Sequence, residues 1–87
     1  MAIVWIPSLM RDLTAGQETL DTPGKTVGQV IEALDVAYPG LKDRLCEGNQ
    51  IRPILAVHVD GRVAQLGLLE PVGEHSEVQF LPAVSGG

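Results

Sequence analysis

TVGQVIEALDVAY, residues 26–38, predicts the main helix of this chain. Thr26 is a natural N-cap, and Gln29 three residues later completes a capping box. Asp35 falls outside the apolar stripe and is expected to face solvent, and Pro39-Gly40 ends the helix. Because one amphipathic helix buries a single face, the rest of the chain has to supply a layer that covers it. The apolar stripe itself consists of Val27, Val30, Ile31, Leu34 and Tyr38.

Strand patterns lie on both sides of this helix. Two strands are expected before it, and an irregular turn region at residues 8–16 joins them. Leu41 and Leu45 indicate a further short helical turn after it. Asp60-Gly61 is a hairpin signal, and Pro82 is expected to end the pairing of the last strand. The predicted strands cover residues 2–6, 17–22, 54–59, 62–64 and 77–81.

The element order is therefore β-β-α-β-(β)-β, which predicts an α+β fold. A small mixed sheet packs on one main helix, and this order is typical of the β-grasp arrangement. In that arrangement the first and last strands are adjacent and parallel. Residues 1–81 are expected to form the β-grasp domain, and residues 82–87 a flexible C-terminal diglycine tail.

Length and charge restrict the function classes. The chain has 87 residues, enough for one domain, and a net charge of −5. An acidic chain lacks the basic footprint that nucleic acid needs, but it suits a basic protein partner. We expect no membrane span, because no apolar run approaches about 20 residues. A single cysteine and the absence of a signal-peptide pattern favour the cytoplasm.

Strand alternation predicts one exposed apolar patch. Val4 and Ile6 should face the core on the first strand, as should Val78 and Phe80 on the last. Leu55, Val57 and Val59 should do the same on the third strand. The opposite face is then left open, and an apolar patch on a small protein indicates a partner-binding site. The residues expected in this patch are Ile3, Trp5, His58 and Leu81.

The sequence shows no metal-ligand spacing, phosphate loop, catalytic triad or carboxylate pair. His58 and His75 each lack a neighbouring cluster of ligands in the sequence, so neither is expected to bind a metal. Cys46, near a helix end, is expected to be structural. No catalytic role is assigned to these side chains.

The chain closes on Ser85-Gly86-Gly87 behind the last predicted strand. Glycine has no Cβ, so its backbone can enter a channel that is too narrow for other residues. The terminal carboxylate is then the reactive group that a partner's active site can receive. Extended, residues 82–87 could reach about 20 Å. The alternative is an ordinary frayed end without function.

GEHSEVQFLPAVSGG, residues 73–87, resembles the ending of the bacterial ubiquitin-like β-grasp sulfur carriers. These proteins serve molybdopterin, thiamin and cysteine biosynthesis. IPSLMR at residues 6–11 and TVGQVI at residues 26–31 resemble their N-terminal hairpin and helix start. Molybdopterin-synthase small subunits often carry two prolines before the tail. The single proline of LPAV, residues 81–84, is closer to the cysteine-pathway carriers.

The resemblance implies a sulfur carrier that is not itself an enzyme and binds no cofactor. A ubiquitin-activating-type adenylating enzyme would use ATP to activate the Gly87 carboxylate, with Gly86 allowing access. Sulfur would then convert Gly87 to a thiocarboxylate, a sulfide donor for the biosynthesis of cysteine or another sulfur-containing metabolite. The accepting enzyme would be cysteine-synthase-like. Tail residues that would contact the partner are Pro82, Ala83, Val84 and Ser85.

Three alternatives remain open from the sequence. The chain could be the small subunit of molybdopterin synthase, bound to that enzyme's large subunit. It could also be a ubiquitin-like modifier that is joined to lysines. The third alternative is a plain binding module with an incidental diglycine.

Overall fold

Helix α1, Val27–Ala37, begins where its cap predicts. A computed structural model describes residues 1–83. Thr26 Oγ1 accepts a hydrogen bond from the Gln29 N–H at 3.1 Å. The reciprocal bond goes to the preceding residue, because Gln29 Oε1 accepts from the Lys25 N–H at 2.9 Å. The predicted capping box therefore starts the helix, but the Gln29 side chain bonds to the residue before the N-cap and not to the N-cap itself.

A five-stranded mixed sheet covers the apolar face of α1. Its strand order is β2-β1-β7-β5-β6, and β1 and β7 are parallel. The other neighbouring pairs are antiparallel. This arrangement confirms the predicted α+β β-grasp fold with adjacent, parallel first and last strands. The strands are β1 Ala2–Trp5, β2 Thr19–Thr22, β3 Cys46–Glu47, β4 Gln50–Ile51, β5 Leu55–Val59, β6 Arg62–Val63 and β7 Glu77–Pro82.

The core lies between α1 and one face of this sheet. Val4, Val78 and Phe80 are buried there, as alternation predicts. Val57 on β5 is also buried, and Leu55 and Val59 pack against the same cluster. The face assignment of β1, β5 and β7 is confirmed. The helix contributes Val27, Val30, Ile31 and Leu34, and Tyr38 is partly buried.

Three local features differ from the sequence expectation. Ser8–Thr14 forms a 3₁₀ helix within the region expected to be irregular. β3 and β4 form a separate two-stranded hairpin, which strand periodicity cannot detect in two-residue strands. Asp35 is half-buried rather than turned to solvent, because its carboxylate accepts from the N–H groups of Gly40 and Lys42. It thereby caps helix α2, Leu41–Leu45.

The last strand continues one residue beyond the expected end at Leu81. Pro82 is in register with Leu55, and the Ala83 N–H donates to the Ile54 carbonyl at 2.8 Å. Since Ala83 points its N–H toward β5, residue 82 would point its N–H toward β1. β1 pairs with β7 only as far as Gln79, so proline costs no sheet hydrogen bond there.

None of the helices within residues 1–83 has the length and apolar character required to cross a membrane.

Candidate functional site

The central strand of the sheet, β7, ends at Pro82, five residues before Gly87. β7 lies between β1 and β5, and its last described neighbour contact is the Ala83–Ile54 hydrogen bond. Pro82 and Ala83, both predicted to contact a partner, therefore lie at the rim of the sheet. The predicted functional residues Val84, Ser85, Gly86 and Gly87 lie outside the described residues.

The four residues of the predicted patch share the open face of the sheet. Ile3, Trp5 and Leu81 are 37%, 40% and 39% exposed, and His58 is half-buried. In register, Trp5 lies opposite Gln79, and Gln79 lies opposite His58. Gln79 thus separates the indole from the imidazole, so the surface is apolar with a polar centre. That this face binds a partner stays a prediction.

Trp5 is held against the open face by a side-chain hydrogen bond. Its Nε1–H donates to Glu77 Oε1 at 3.0 Å. Glu77 lies opposite Ile3, so the indole reaches diagonally from β1 to β7. This bond restricts the indole and presents its ring to solvent. The sequence did not predict it, because the two residues are 72 positions apart.

One end of the open face is acidic. Ile3 lies between Asp21 on β2 and Glu77 on β7. Asp60, at the adjacent turn, accepts hydrogen bonds from the Glu77 N–H and the Ser76 hydroxyl, which hold its pKa below the ordinary value. Asp60 therefore stays ionised. The face combines an apolar half with a negatively charged half, a pattern that complements a basic protein surface.

A groove adjoins the base of the tail. It has a volume of about 380 Å³ and separates the first 3₁₀ helix from the end of β7. Leu9 stands 85% exposed at its edge. Sequence reasoning missed this groove because its walls come from distant segments. The residues that line it include Trp5, Pro7, Leu9, Leu55, Leu81 and Pro82.

The remaining reactive side chains do not form a site. Among residues 1–83, no three His, Cys, Asp or Glu side chains are placed to hold a metal ion. His58 Nδ1 has no hydrogen-bond partner in this part of the chain. Cys46 is buried in the core, and burial raises the pKa of its thiol. The thiol is therefore mainly protonated at neutral pH, in keeping with the structural role expected for it.

Comparison with protein families matches residues 4–87 to the ThiS family. The chain belongs to this family. The ThiS-family chain is 30% identical over 89 residues to the sulfur carrier protein CysO of Mycobacterium tuberculosis, covering 97% of this chain and 96% of that protein. It is also 36% identical over 64 residues to small archaeal modifier protein 3 of Haloferax volcanii, covering 71% of this chain and 70% of that protein.

A solved structure shows the same fold. The ThiS-family chain superposes on a chain of the Amycolatopsis orientalis BexX/CysO complex with a TM-score of 0.91, at 28% identity and full coverage of both chains. The predicted membership of the ubiquitin-like β-grasp sulfur-carrier group is confirmed.

Proposed function

We propose that this protein is a sulfur carrier whose working group is the Gly87 carboxylate. The carboxylate attacks the α-phosphate of ATP on an adenylating enzyme, and pyrophosphate leaves. A sulfide or persulfide sulfur then attacks the acyl-adenylate, and AMP leaves. The product is a Gly87 thiocarboxylate, a nucleophile that delivers sulfide to a biosynthetic acceptor.

Near-full-length similarity to CysO is the observation that carries this proposal. The alignment covers 97% of this chain and 96% of the M. tuberculosis protein. The family match also extends to Gly87 itself. The proposed sulfur chemistry therefore rests on similarity to a sulfur carrier over nearly the whole chain.

The geometry supports a carrier in which the sheet fixes the residues that precede the tail, and the folded domain is the part that a partner enzyme recognises. Strands on both sides support β7, and its last residue, Pro82, lies at the rim of the sheet. Gly86 and Gly87 remove side-chain bulk where the tail would enter a nucleotide pocket. The open face and the groove beside the tail then provide the contact surface.

The partners divide the chemistry between them. ATP belongs to the ubiquitin-activating-type enzyme, and the carrier itself needs no cofactor. We infer a cysteine-synthase-like enzyme as sulfur acceptor, in line with the similarity to CysO. The proposed compartment is the cytoplasm, where ATP is available. The molybdopterin-synthase alternative stays a prediction.

Intact-protein mass spectrometry tests the proposal directly. The protein is incubated with its adenylating enzyme, ATP and sulfide. We expect the mass increase of one oxygen replaced by sulfur, located at Gly87 by fragmentation. A variant that lacks Gly87 is the control and should stay unmodified. An unchanged mass of the wild-type protein would contradict the proposal.

Protein modification is a second candidate function. The observation that favours it is the similarity to the small archaeal modifier protein of H. volcanii. In this case the activated Gly87 acylates lysine amines instead of receiving sulfur. Proteomic detection of lysines that carry this chain's C-terminal remnant would support the modifier role. Absence of such lysines, with thiocarboxylate present, leaves the carrier role alone.

A further inference from the structure

A second exposed apolar surface lies around β6, at one edge of the sheet. Val63 on β6 is 58% exposed, and Leu66 and Leu69 on the segment that follows it are 61% and 76% exposed. Val63 and Leu66 line one depression, and Leu66 and Leu69 line the next. We call these three residues the β6 patch. None of them lines the groove beside Pro82.

The segment that carries Leu66 and Leu69 is fixed to the rest of the fold. The Val27 N–H donates to the Glu70 carbonyl at 3.0 Å, and Glu70 Oε1 accepts from the Leu66 N–H at 3.1 Å. An ordered segment therefore keeps two large apolar side chains in water. Such a surface is typical of an association site.

Beside the β6 patch, the sheet has an open edge. β6 is the last strand in the spatial order, and the Ala64 N–H donates to the Val57 carbonyl at 2.8 Å. Because backbone groups alternate in direction along a strand, the N–H and C=O of Val63 point away from β5. Within residues 1–83 no hydrogen bond outside the sheet engages either group. Such an edge is able to pair with another strand.

The β6 patch is flanked by one charge of each sign. Arg62 and Glu70 line the same depression, but they do not form an ion pair with each other. Within residues 1–83 the Arg62 guanidinium makes no hydrogen bond, whereas Arg11, Arg44 and Arg52 each donate to a backbone carbonyl. Arginine is enriched at protein interfaces, and this one is available for a contact outside the chain.

Like charges oppose contact between two copies of this acidic chain at other surfaces. The net charge is −5, and Asp21 lies on β2, at the opposite edge of the sheet from β6. The β6 patch instead balances Arg62 against Glu70. In a twofold arrangement each of these charges faces its opposite on the other copy, and apolar surface faces apolar surface.

We propose that this protein forms a weak twofold dimer through the β6 patch. Antiparallel pairing of β6 with the partner's β6 lets Val63 exchange both backbone hydrogen bonds with the partner's Val63. Arg62 then pairs with the partner's Glu70, and the two β6 patches pack against each other. Because the interface is small, we expect a dimer Kd on the order of 100 μM.

The dimer leaves the other end of the sheet uncovered in both copies. β6 pairs with His58 and Val59, whereas the end of β7 pairs with Leu55. The groove at Pro82 therefore stays outside the dimer contact. Dimerisation is independent of the proposed sulfur chemistry, so either one can fail without the other.

Leu69→Asp tests the apolar contact, and Val36→Asp is its matched control. Val36 is also strongly exposed, at 85%, but it lies on α1, outside the β6 patch. Sedimentation equilibrium from about 20 μM to about 1 mM measures the dimer Kd. We expect Leu69→Asp to raise this Kd about tenfold or more, because it places a carboxylate in an apolar contact, and Val36→Asp to match the wild type.

Charge reversal tests the twofold arrangement. Arg62→Glu alone and Glu70→Arg alone each place like charges together twice in a dimer, so each should raise the Kd about tenfold or more. An equimolar mixture of the two variants forms a heterodimer in which both pairs are again opposite. The Kd of that heterodimer should return to within about threefold of the wild-type Kd. A folding defect in one copy cannot be repaired by mixing.

Hydrogen exchange in the wild type needs no variant. The Val63 N–H should exchange about threefold more slowly at about 1 mM than at about 20 μM, since pairing protects it. A concentration-independent rate, or a wild-type monomer throughout this range, would overturn the dimer. Equal Kd values for Leu69→Asp and Val36→Asp, or failure of the mixed variants to associate, would show that the contact lies elsewhere. Open-ended oligomers that Asp21→Lys abolishes would replace the twofold dimer with β2-to-β6 stacking.

Discussion

At the scale of single residues, Asp60 joins the β5–β6 turn to the start of β7. It adopts a left-handed φ of 52°, followed by Gly61 at 82°, as the predicted hairpin turn requires. Its carboxylate accepts from the Glu77 N–H at 2.9 Å and from the Ser76 hydroxyl at 2.8 Å. Ser76 Oγ in turn accepts from the Gly73 N–H. One carboxylate therefore organises the entry into the strand that carries the tail.

Asp60→Asn should lower the free energy of unfolding in a pH-dependent way. Asparagine tolerates the left-handed backbone but loses the charge that strengthens both hydrogen bonds, a loss of about 1 kcal/mol at this exposed site. In the folded state the hydrogen bonds from the Glu77 N–H and the Ser76 hydroxyl lower the pKa of Asp60 below its ordinary value. Its stabilisation is therefore complete above the unfolded pKa and disappears as the pH falls through the folded pKa. Urea unfolding from about pH 7 to about pH 2.5 measures the difference.

The control for this prediction is Asp21→Asn. The Asp21 carboxylate is exposed on β2 and makes no side-chain hydrogen bond within residues 1–83. Its substitution should change the free energy of unfolding little, because it removes no hydrogen bond. A wild-type advantage over Asp60→Asn that persists undiminished into acid would contradict the linkage argument.

At the scale of elements, the turn between β2 and α1 is tightly packed against the helix. Gly24 has a φ of 147°, and a Cβ there would lie 2.8 Å from both Val30 N and Val30 Cγ2. The backbone atom cannot move aside without disturbing α1. The turn and the first helical turn therefore pack as one unit, which sets the entry angle of the helix on the sheet.

Gly24→Ala should cost about 2 kcal/mol or more of unfolding free energy, since overpacking adds to backbone strain. Gly48→Ala is the matched variant: its φ is also positive, at 63°, but a Cβ there would meet no atom within 4 Å beyond the adjoining residues. We expect it to cost about 1 kcal/mol from strain alone. Thermal or urea unfolding compares the two, and equal losses would show that the Val30 contact is unimportant.

At the scale of the whole molecule, negative charge and the groove lie at opposite ends of the open face. The net charge is −5, and Asp21, Glu77 and Asp60 concentrate negative charge at one end of the open face. Strand β7 ends at Pro82 at the other end of this face, beside the groove. An approaching basic enzyme would thus be oriented by the acidic end while the apolar end and the tail make contact.

Asp21→Lys should slow association with the adenylating enzyme about two- to fivefold at low salt, because it weakens electrostatic steering. Raising the ionic strength should slow the wild type more than the variant. Glu47→Lys, an equal charge change on β3 outside the five-stranded sheet, serves as the control. Stopped-flow association rates provide the measurement. If both variants slow association equally, net charge rather than the acidic end is responsible.

Local chemistry explains which features the sequence predicts. The capping box, the apolar stripe of α1 and the Asp60-Gly61 turn depend on residues within a few positions of one another. Strand alternation likewise assigns Val4 and Phe80 to the buried face and Trp5 and Leu81 to the open face, and it needs no knowledge of the partner strands. These signals are sufficient for the β-grasp order, whereas the diglycine chemistry is an expectation from the family resemblance and stays a prediction.

The sequence by itself therefore determined the helix, the strand faces and the family, because each depends on short-range periodicity or on a contiguous motif. Only the tertiary structure decided the Trp5–Glu77 bond, the capping of α2 by Asp35 and the groove between Leu9 and Pro82. Each of these features joins separate segments of the chain that the fold brings together. A local sequence pattern therefore cannot predict them. The pairing of Ala83 with Ile54 has the same origin, because it joins residues that lie 29 positions apart in the chain.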